Sequence, residues 1–529
     1  MHAESAALKS KLQTRVERII QSGAAALLRD LRRGIEKECL RITANGTLSR
    51  RRHFAALGSA LTHPHITTDY SEALLEFITP PLAGAGDALR FLEQIHVFVY
   101  RNIGGEKLWA NSMPCLMKDS PIPLAEYGVS NVAKMKHVYR RGLSRRYGGL
   151  MQTIAGVHYN FSLPAEFWSA CPLRVDPQTA DAASVNYFAA VRNVHRYCWL
   201  ALYLCGASPA LCECFAAGRR HGLQHLDDST IYAPHATCLR MSGLGYQNDA
   251  QSAIAVDYNN LQSYTDSLVA ATQTPWPAYE SIGVKANGDY LQLNANLLQI
   301  ENEYYSVIRP KQNARSGEKP SSALKKRGVA YLEARFIDLN PYAPAGIALA
   351  EARWLEIFLL FCMLQQSPDM GAGERKQTTE NTTRVVHRGR CPSLTLSRNA
   401  KEVLFRTWAG ELLAQMQPVA ELLDSAQGGD GYSAALKIQQ ERVRHPELTL
   451  SAQMLDDMLR NKESFFAFTM RKTEEHENFF RAAAMERACE EKFRKLAGQS
   501  RRRQREMEKS DSVDFDHYLK TYFAAENPS

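Results

Sequence analysis

Three strand-like stretches, far apart in the chain, carry carboxylates within apolar surroundings. They are Arg33-Gly34-Ile35-Glu36-Lys37-Glu38, the run from Asp69 through Glu76-Phe77, and Tyr331-Leu332-Glu333-Ala334-Arg335. Strand side chains alternate faces, so Glu36 and Glu38 share a side, as do Glu333 and Arg335. The surrounding residues are apolar: Ile35, Cys39, Leu40 and Ile42 in the first stretch, Ala73-Leu74-Leu75 in the second, Val329 to Leu332 in the third. A central strand seldom carries unpaired acids. If the stretches join in one sheet, several carboxylates meet on one surface, and that density calls for cations between them. Hard oxygen donors favour Mg²⁺, often carrying nucleotide phosphates. A structural network of ion pairs leaves the same pattern, and spacing alone does not separate the two readings.

Other residues gain meaning beside these acids. Residues 151–163 read as the clearest strand, with Met151, Val157, Tyr159, Phe161 and Leu163 on one face and Gln152, His158, Asn160 and Ser162 on the other. His158 is either a hydrogen-bonded structural residue or a minority ligand in an oxygen-rich site that also accepts Mn²⁺. Arg335 is either a salt-bridge partner or a group that neutralises charge on a transferring phosphoryl group. Ile308-Arg309-Pro310-Lys311 ends a strand within reach of phosphates, and Arg240 lies in apolar surroundings suited to bidentate carboxylate binding. Tyr139, Tyr246, Tyr304 and Tyr305 are candidate walls of a small-molecule pocket. Neither a Gly-x-x-x-x-Gly-Lys-Ser/Thr loop nor a Gly-x-Gly-x-x-Gly turn after a strand is present. A bound nucleotide would therefore be held through metal ions.

The pattern along the chain is interleaved, not βαβαβ. Residues 5–30 have helical spacing, residues 34–42 and 74–78 read as strands, and Asn45-Gly46 marks a hairpin. Residues 86–102, 178–205 and 257–272 read as helices, 106–145 as loops around a site, 288–308 as two strands and 328–338 as another. Residues 343–366, 398–424 and 452–495 read as long amphipathic helices, and 367–395 as a long loop. Together these predict an α+β fold in which an antiparallel sheet is surrounded by helices. The expected organisation is one large catalytic domain over residues 1–529. Its core spans about 30–345, a mainly helical part about 343–495 and a charged, exposed tail about 496–529.

The charge balance narrows the partners. Lys and Arg number 64 against 56 Asp and Glu, a net +8 in 529 residues. That excess is modest and locally clustered, as at Arg501-Arg502-Arg503, so nucleic acid is not expected. An anionic small molecule explains it equally well. The most apolar run, Cys198 to Cys214, is broken by Gly206, Ser208 and Pro209, which predicts no membrane span. Eleven scattered cysteines, with Cys212-x-Cys214 as their nearest approach, suggest a reducing, cytoplasmic setting and no zinc-site spacing.

In these stretches the chain resembles the glutamate–cysteine ligases (γ-glutamylcysteine synthetases) of γ-proteobacterial type. The resemblance rests on Arg-Gly-Ile-Glu-Lys-Glu at 33–38, Leu-Gly-Ser-Ala-Leu-Thr-His at 57–63, Ile-Thr-Thr-Asp-Tyr at 66–70 and Glu-Ala-Leu-Leu-Glu-Phe-Ile-Thr-Pro at 72–80. It continues through Ser-Met-Pro-Cys at 112–115, Gly-Val-His-Tyr-Asn-Phe-Ser at 156–162, Leu-Gln-Ile-Glu-Asn-Glu at 298–303, Ile-Arg-Pro-Lys at 308–311 and Tyr-Leu-Glu-Ala-Arg at 331–335. It implies a sheet cradle like the catalytic core of glutamine synthetase. The implied reaction is ATP- and Mg²⁺-dependent joining of the L-glutamate γ-carboxyl to the amino group of L-cysteine, the first step of glutathione synthesis. By motif position, Glu36, Glu38, Asp69, Glu76, His158 and Glu333 resemble the metal ligands, and Arg335 the residue that stabilises the phosphoryl group. Tyr139, Arg240, Tyr246 and Tyr305 resemble the cysteine pocket. Gln299, Glu301, Asn302 and Arg309 are assigned to the nucleotide side, and the protein is expected to act as a monomer. Tyr70 stands where the family pattern has phenylalanine and adds a hydroxyl to a pocket wall. Two alternatives share the scaffold: a ligase for a different amine, and a catalytically silent binding protein.

Overall fold

The computed structural model describes residues 2–115, 122–171, 173, 181–245, 254–315 and 317–524. Fourteen strands occur among them. In chain order they are β1 (Arg32–Ile42), β2 (Ile66–Thr68), β3 (Leu74–Ile78), β4 (Lys107–Leu108), β5 (Val157–Ser162), β6 (Ala210–Cys212), β7 (Gln224–Asp227), β8 (Thr230–Tyr232), β9 (Lys285–Ala286), β10 (Asp289–Tyr290), β11 (Ile308–Lys311), β12 (Tyr331–Ile337), β13 (Thr395–Arg398) and β14 (Lys401–Leu404). Seven form the main sheet in the order β11-β12-β5-β1-β3-β2, with β4 also paired to β1. Every pairing is antiparallel. The expected α+β architecture is present, and the three acid-bearing stretches lie in or beside this one sheet.

Alternation divides the sheet into two unlike faces. Ile35, Cys39, Phe77, Tyr159, Phe161, Leu332 and Ala334 are fully buried on the back. They belong to a hydrophobic core that runs continuously from Leu12 to Phe493 and includes the helices Ala85–Tyr100, Ala182–Leu204 and Leu349–Leu364. Behind β1, Arg33 forms a buried bidentate pair with Glu356, at 2.7 Å through both Nε and Nη2. Tyr159 and Tyr432 donate to the same carboxylate at 2.5 and 2.6 Å. A buried charge pair is tolerable only when saturated in this way, and here it locks β1 and β5 to the helix Leu349–Leu364.

Several elements depart from the sequence expectation. Residues 106–145 were expected to be loops, yet Asn131–Tyr147 is a helix whose start is capped by Ser130, which accepts from Ala133 N at 3.3 Å. Its inner positions, Ala133, Met135, Val138 and Leu143, are interrupted by buried Arg140, which hid the apolar period. Residues 367–395 likewise contain the helix Ala372–Arg388, whose buried residues are only Asn381, Val385 and Val386. The strand expected over 151–163 begins at Val157, after a 3₁₀ turn at Met151–Thr153. Between β10 and β11 the chain forms turns and a 3₁₀ segment at Glu301–Glu303, not two strands. The charged tail is helical over Arg487–Ser510 and is not fully exposed. Ala497 and Ser500 are buried, and Ser59 N donates to Ser500 Oγ at 3.0 Å. Leu519, further along, is buried against Met135 and Val138.

Buried histidines give the fold an acid limit. Burial lowers His63 and His476 to a pKa of about 4, and His96 well below its ordinary value. These rings stay neutral in the folded chain below pH 6.5, whereas the unfolded chain takes up protons. Stability is therefore expected to fall as pH drops from about 6.5 toward 4, each ring adding a slope of at most about 1.4 kcal/mol per pH unit. Urea midpoints at pH 7.5 and 5.5 check this, and equal midpoints would contradict it.

Candidate functional site

The polar face of the sheet is assembled by register. Glu36 lies opposite His158 and Glu38 opposite Glu76. Glu333 faces Asn160 on one side and Arg309 on the other. His158 sits at the centre: Nδ1 is 3.3 Å from Glu36 and 3.5 Å from Glu333, and Nε2 is 3.7 Å from Glu38. Asn160 donates to Glu36 at 2.8 Å, Gly156 N to Glu38 at 2.9 Å and Arg335 to Glu333 at 2.7 Å. Lys311 approaches the other Glu333 oxygen at 3.3 Å. Donor atoms of Glu36, Glu76 and His158 all lie within 4.8 Å of one another.

The electrostatics of these acids differ. Burial alone would raise Glu36, but the His158 hydrogen bond keeps it below the ordinary carboxylate value. Glu333 is also buried, yet Lys311, Arg335, His158 and Arg309 hold it well below that value. Glu38 is raised, chiefly by burial. Glu76 is pushed well above, first by burial and then by Glu36, Asp69, Glu38 and Glu333. Two like charges at such separations repel by about 3 kcal/mol at the effective dielectric of a partly buried site. The largest influences on Glu76 favour its neutral form and outweigh the nearby Lys136 and Arg140, so the local cations do not balance this corner of the site.

That imbalance is a test of fit for a divalent cation. The donor set is mostly carboxylate oxygen with one imidazole, which suits Mg²⁺ or Mn²⁺ and not a soft metal. Glu36, Glu76 and His158 have the needed proximity, with Glu38 and Glu333 adjoining. Asp69 stands at the rim in the turn between β2 and β3, its carboxylate 3.7 Å from Arg140. Arg140, on the helix Asn131–Tyr147, also bonds the Asp69 backbone oxygen and lies over the Tyr127 ring at 4.7 Å. Sequence reading missed Arg140 because it missed the helix that carries it.

Next to the acids lies a cavity of about 120 Å³. Tyr70, Tyr139, Tyr305, Asn302, Arg309 and Arg335 line it together with Glu38 and Asp69. The Arg335 guanidinium lies 6.0 Å from the Tyr305 ring centre, and its Nε is buried with no hydrogen-bond partner among the described residues. Five of the residues assigned to substrate or nucleotide, Tyr70, Tyr139, Tyr305, Asn302 and Arg309, thus share one cavity, whereas Arg240, Gln299 and Glu301 do not line it. Arg240 is buried behind it, with Nε bonded to Asp338 at 2.6 Å and Nη2 to the Arg335 backbone oxygen at 3.2 Å. Its Nε edge is therefore closed to a bidentate ligand. Gln299 is fully buried; its Oε1 accepts from Leu293 N and its Nε2 donates to Tyr139 O, so it props the pocket from behind. Glu301 turns away to accept from Ser321 N at 2.7 Å and caps the helix Pro320–Arg327. Tyr246 lies outside the described residues.

Comparison with known proteins bears on the whole chain. The family profile described as glutamate-cysteine ligase matches residues 16–385. A protein named glutamate–cysteine ligase from Alcanivorax borkumensis is 49% identical over 526 residues, covering 97% of this chain and 99% of that one. Its namesake from Azotobacter vinelandii is 50% identical over 506 residues, covering 94% and 96%. Among solved structures, the Francisella tularensis glutamate–cysteine ligase in complex with AMP superposes with a TM-score of 0.89 at 36% identity, covering 94% of this chain and 98% of that one.

Proposed function

The chain belongs to the glutamate–cysteine ligase family, and on that premise we propose that it joins the γ-carboxyl of L-glutamate to the amino group of L-cysteine at the expense of ATP. This is the first step of glutathione synthesis. The observation that carries the reading is the convergence of Glu36, Glu38, Glu76, His158 and Glu333 on one sheet face beside a tyrosine-lined cavity.

A carboxylate must be activated before an amine can displace its oxygen. Transfer of the γ-phosphoryl group of ATP to the glutamate side chain gives an acyl phosphate, and attack by the amine of cysteine then releases phosphate. Glu36, Glu38, Asp69, Glu76, His158 and Glu333 would hold Mg²⁺, which supplies charge neutralisation and alignment for the triphosphate. Arg335 projects its guanidinium between Glu333 and the cavity, where negative charge spreads during phosphoryl transfer. Its Nε, which has no partner among the described residues, would donate to that charge. Lys311 and Arg309, on the strand beside Glu333, add positive charge on the same side. Tyr70, Tyr139 and Tyr305 surround the space next to Arg335 and offer hydroxyls to orient an amino acid. Arg240 stiffens this wall through Asp338 and the Arg335 backbone. All these residues come from one chain, so a monomer suffices. The eleven cysteines fit a cytoplasmic setting, and no described helix is long and apolar enough to cross a membrane.

An ADP-release assay tests the reading. Turnover is expected only with glutamate, an amine substrate and Mg²⁺ present, and cysteine or its close analogues should be the best amines. Full ADP release without any of them would reject the assignment.

A further inference from the structure

The described residues contain a second cluster of metal-binding groups, chemically unlike the acids. Cys115, Cys212 and Cys214 bring their sulfurs within 4.8 Å of one another, and Cys212 Sγ lies 2.8 Å from Cys214 Sγ. The sulfurs come from separate places in the fold. Cys115 lies in the segment after β4, Cys212 ends β6, and Cys214 is in the short helix Glu213–Ala216. Cys115 and Cys212 are buried, whereas Cys214 is half-buried. A Cys-x-Cys pair alone has too tight a spacing to suggest a zinc site, and only the fold delivers the third sulfur.

We propose that Cys115, Cys212 and Cys214 form a binding site for a soft, thiol-seeking metal cation of the Zn²⁺, Cd²⁺ and Cu⁺ class. Sulfurs bound at about 2.3 Å in tetrahedral geometry stand about 3.8 Å apart, so the observed cluster needs only side-chain adjustment to close on an ion. Buried cysteines often serve as small apolar residues, but such residues have no reason to aim three sulfurs at one point. The hydrogen bonds of Cys115 to the other two sulfurs, together with burial, push its thiol pKa up. Binding of a divalent ion replaces three S–H bonds by three metal–sulfur bonds and releases three protons to solvent, with no change of oxidation state. The complex carries one net negative charge, and a fourth position remains for water on the half-buried Cys214 side.

The site is separate from the acid face but mechanically close to it. Ser112, three residues before Cys115, accepts Ala155 N on its backbone oxygen at 3.0 Å and Leu339 N on its hydroxyl at 2.8 Å. Those donors flank β5 and β12, which carry His158 and Glu333. Hard and soft donors sort the ions: Mg²⁺ has little affinity for thiolates, and Cd²⁺ bound to carboxylates gives no sulfur charge-transfer band.

The test is a titration of the reduced full-length protein with Cd²⁺ in excess Mg²⁺, reading the ultraviolet thiolate-to-cadmium band and Tm. One equivalent is expected to saturate the band and to raise Tm by several degrees. Cys214→Ser and Cys115→Ser should each lose most of the band at that stoichiometry. An independent reading uses the unmutated protein: one equivalent of Cd²⁺ should slow alkylation of Cys214, followed by peptide mass, at least tenfold. No band at one equivalent, a full band in both variants, or unaltered alkylation of Cys214 would overturn the proposal.

Discussion

Replacing Glu76 by glutamine is expected to raise the Tm of the metal-stripped protein while lowering turnover by at least about 100-fold. The two effects share a cause. Burial and the charges of Glu36, Asp69, Glu38 and Glu333 press Glu76 toward its neutral form. A carboxyl raised in the folded state contributes full stability below its unfolded pKa and loses it as pH rises through the folded value. At neutral pH without metal, Glu76 therefore costs stability, and the isosteric amide removes that cost. A gain of about 1–3 °C is expected in chelator, and it should vanish when Mg²⁺ is restored to the wild type but not to the variant. Turnover falls because the amide cannot supply the negative oxygen that a hard cation needs. Calorimetry with and without chelator, paired with ADP release, reads both effects. Turnover within about threefold of wild type would remove Glu76 from the site.

Arg335→Ala is expected to lower kcat by about 10³-fold with KM values for both amino acids changed less than about threefold. Arg335 pairs with Glu333 at 2.7 Å and borders the cavity, so in the proposed role its charge would meet the reacting group where negative charge develops. Interactions made mainly in the transition state appear in kcat and not in KM. Loss of folding is a poor rival explanation, because Glu333 keeps Lys311 at 3.3 Å. Arg335→Lys should recover part of the rate: it keeps the charge but not the planar fork. A variant with normal kcat and a raised KM would make Arg335 a ground-state binding residue.

Much of the site was legible because strand periodicity is local. Strand alternation already places Glu36 with Glu38, and Glu333 with Arg335, whatever their partners. The same rule put His158 and Asn160 on the polar face of their strand. The motif resemblance then ordered these stretches along the chain and gave their acids, Asp69 and Glu76 included, the role of metal ligands. Helical periodicity was less dependable. Arg140 lies buried on the helix Asn131–Tyr147, and the helix Ala372–Arg388 buries few apolar residues, so neither shows a clear stripe. Gln299 and Glu301 belong to a matching motif, yet they bond to backbone at Leu293, Tyr139 and Ser321 instead of facing the cavity. Motif position says that a residue is near a site, not which way its side chain turns.

By itself the sequence determined the class of fold, the acids that share each strand face and the family to which the reaction belongs. Those properties follow from period, composition and ordered motifs, which are written in neighbouring residues. Tertiary structure decided which strands pair and in what register, and so set Glu36 against His158 and Glu38 against Glu76. It also turned Arg240 onto Asp338 and gathered Cys115 with Cys212 and Cys214. Such contacts join residues far apart along the chain, and they are selected by how the whole core packs, so no local pattern can contain them.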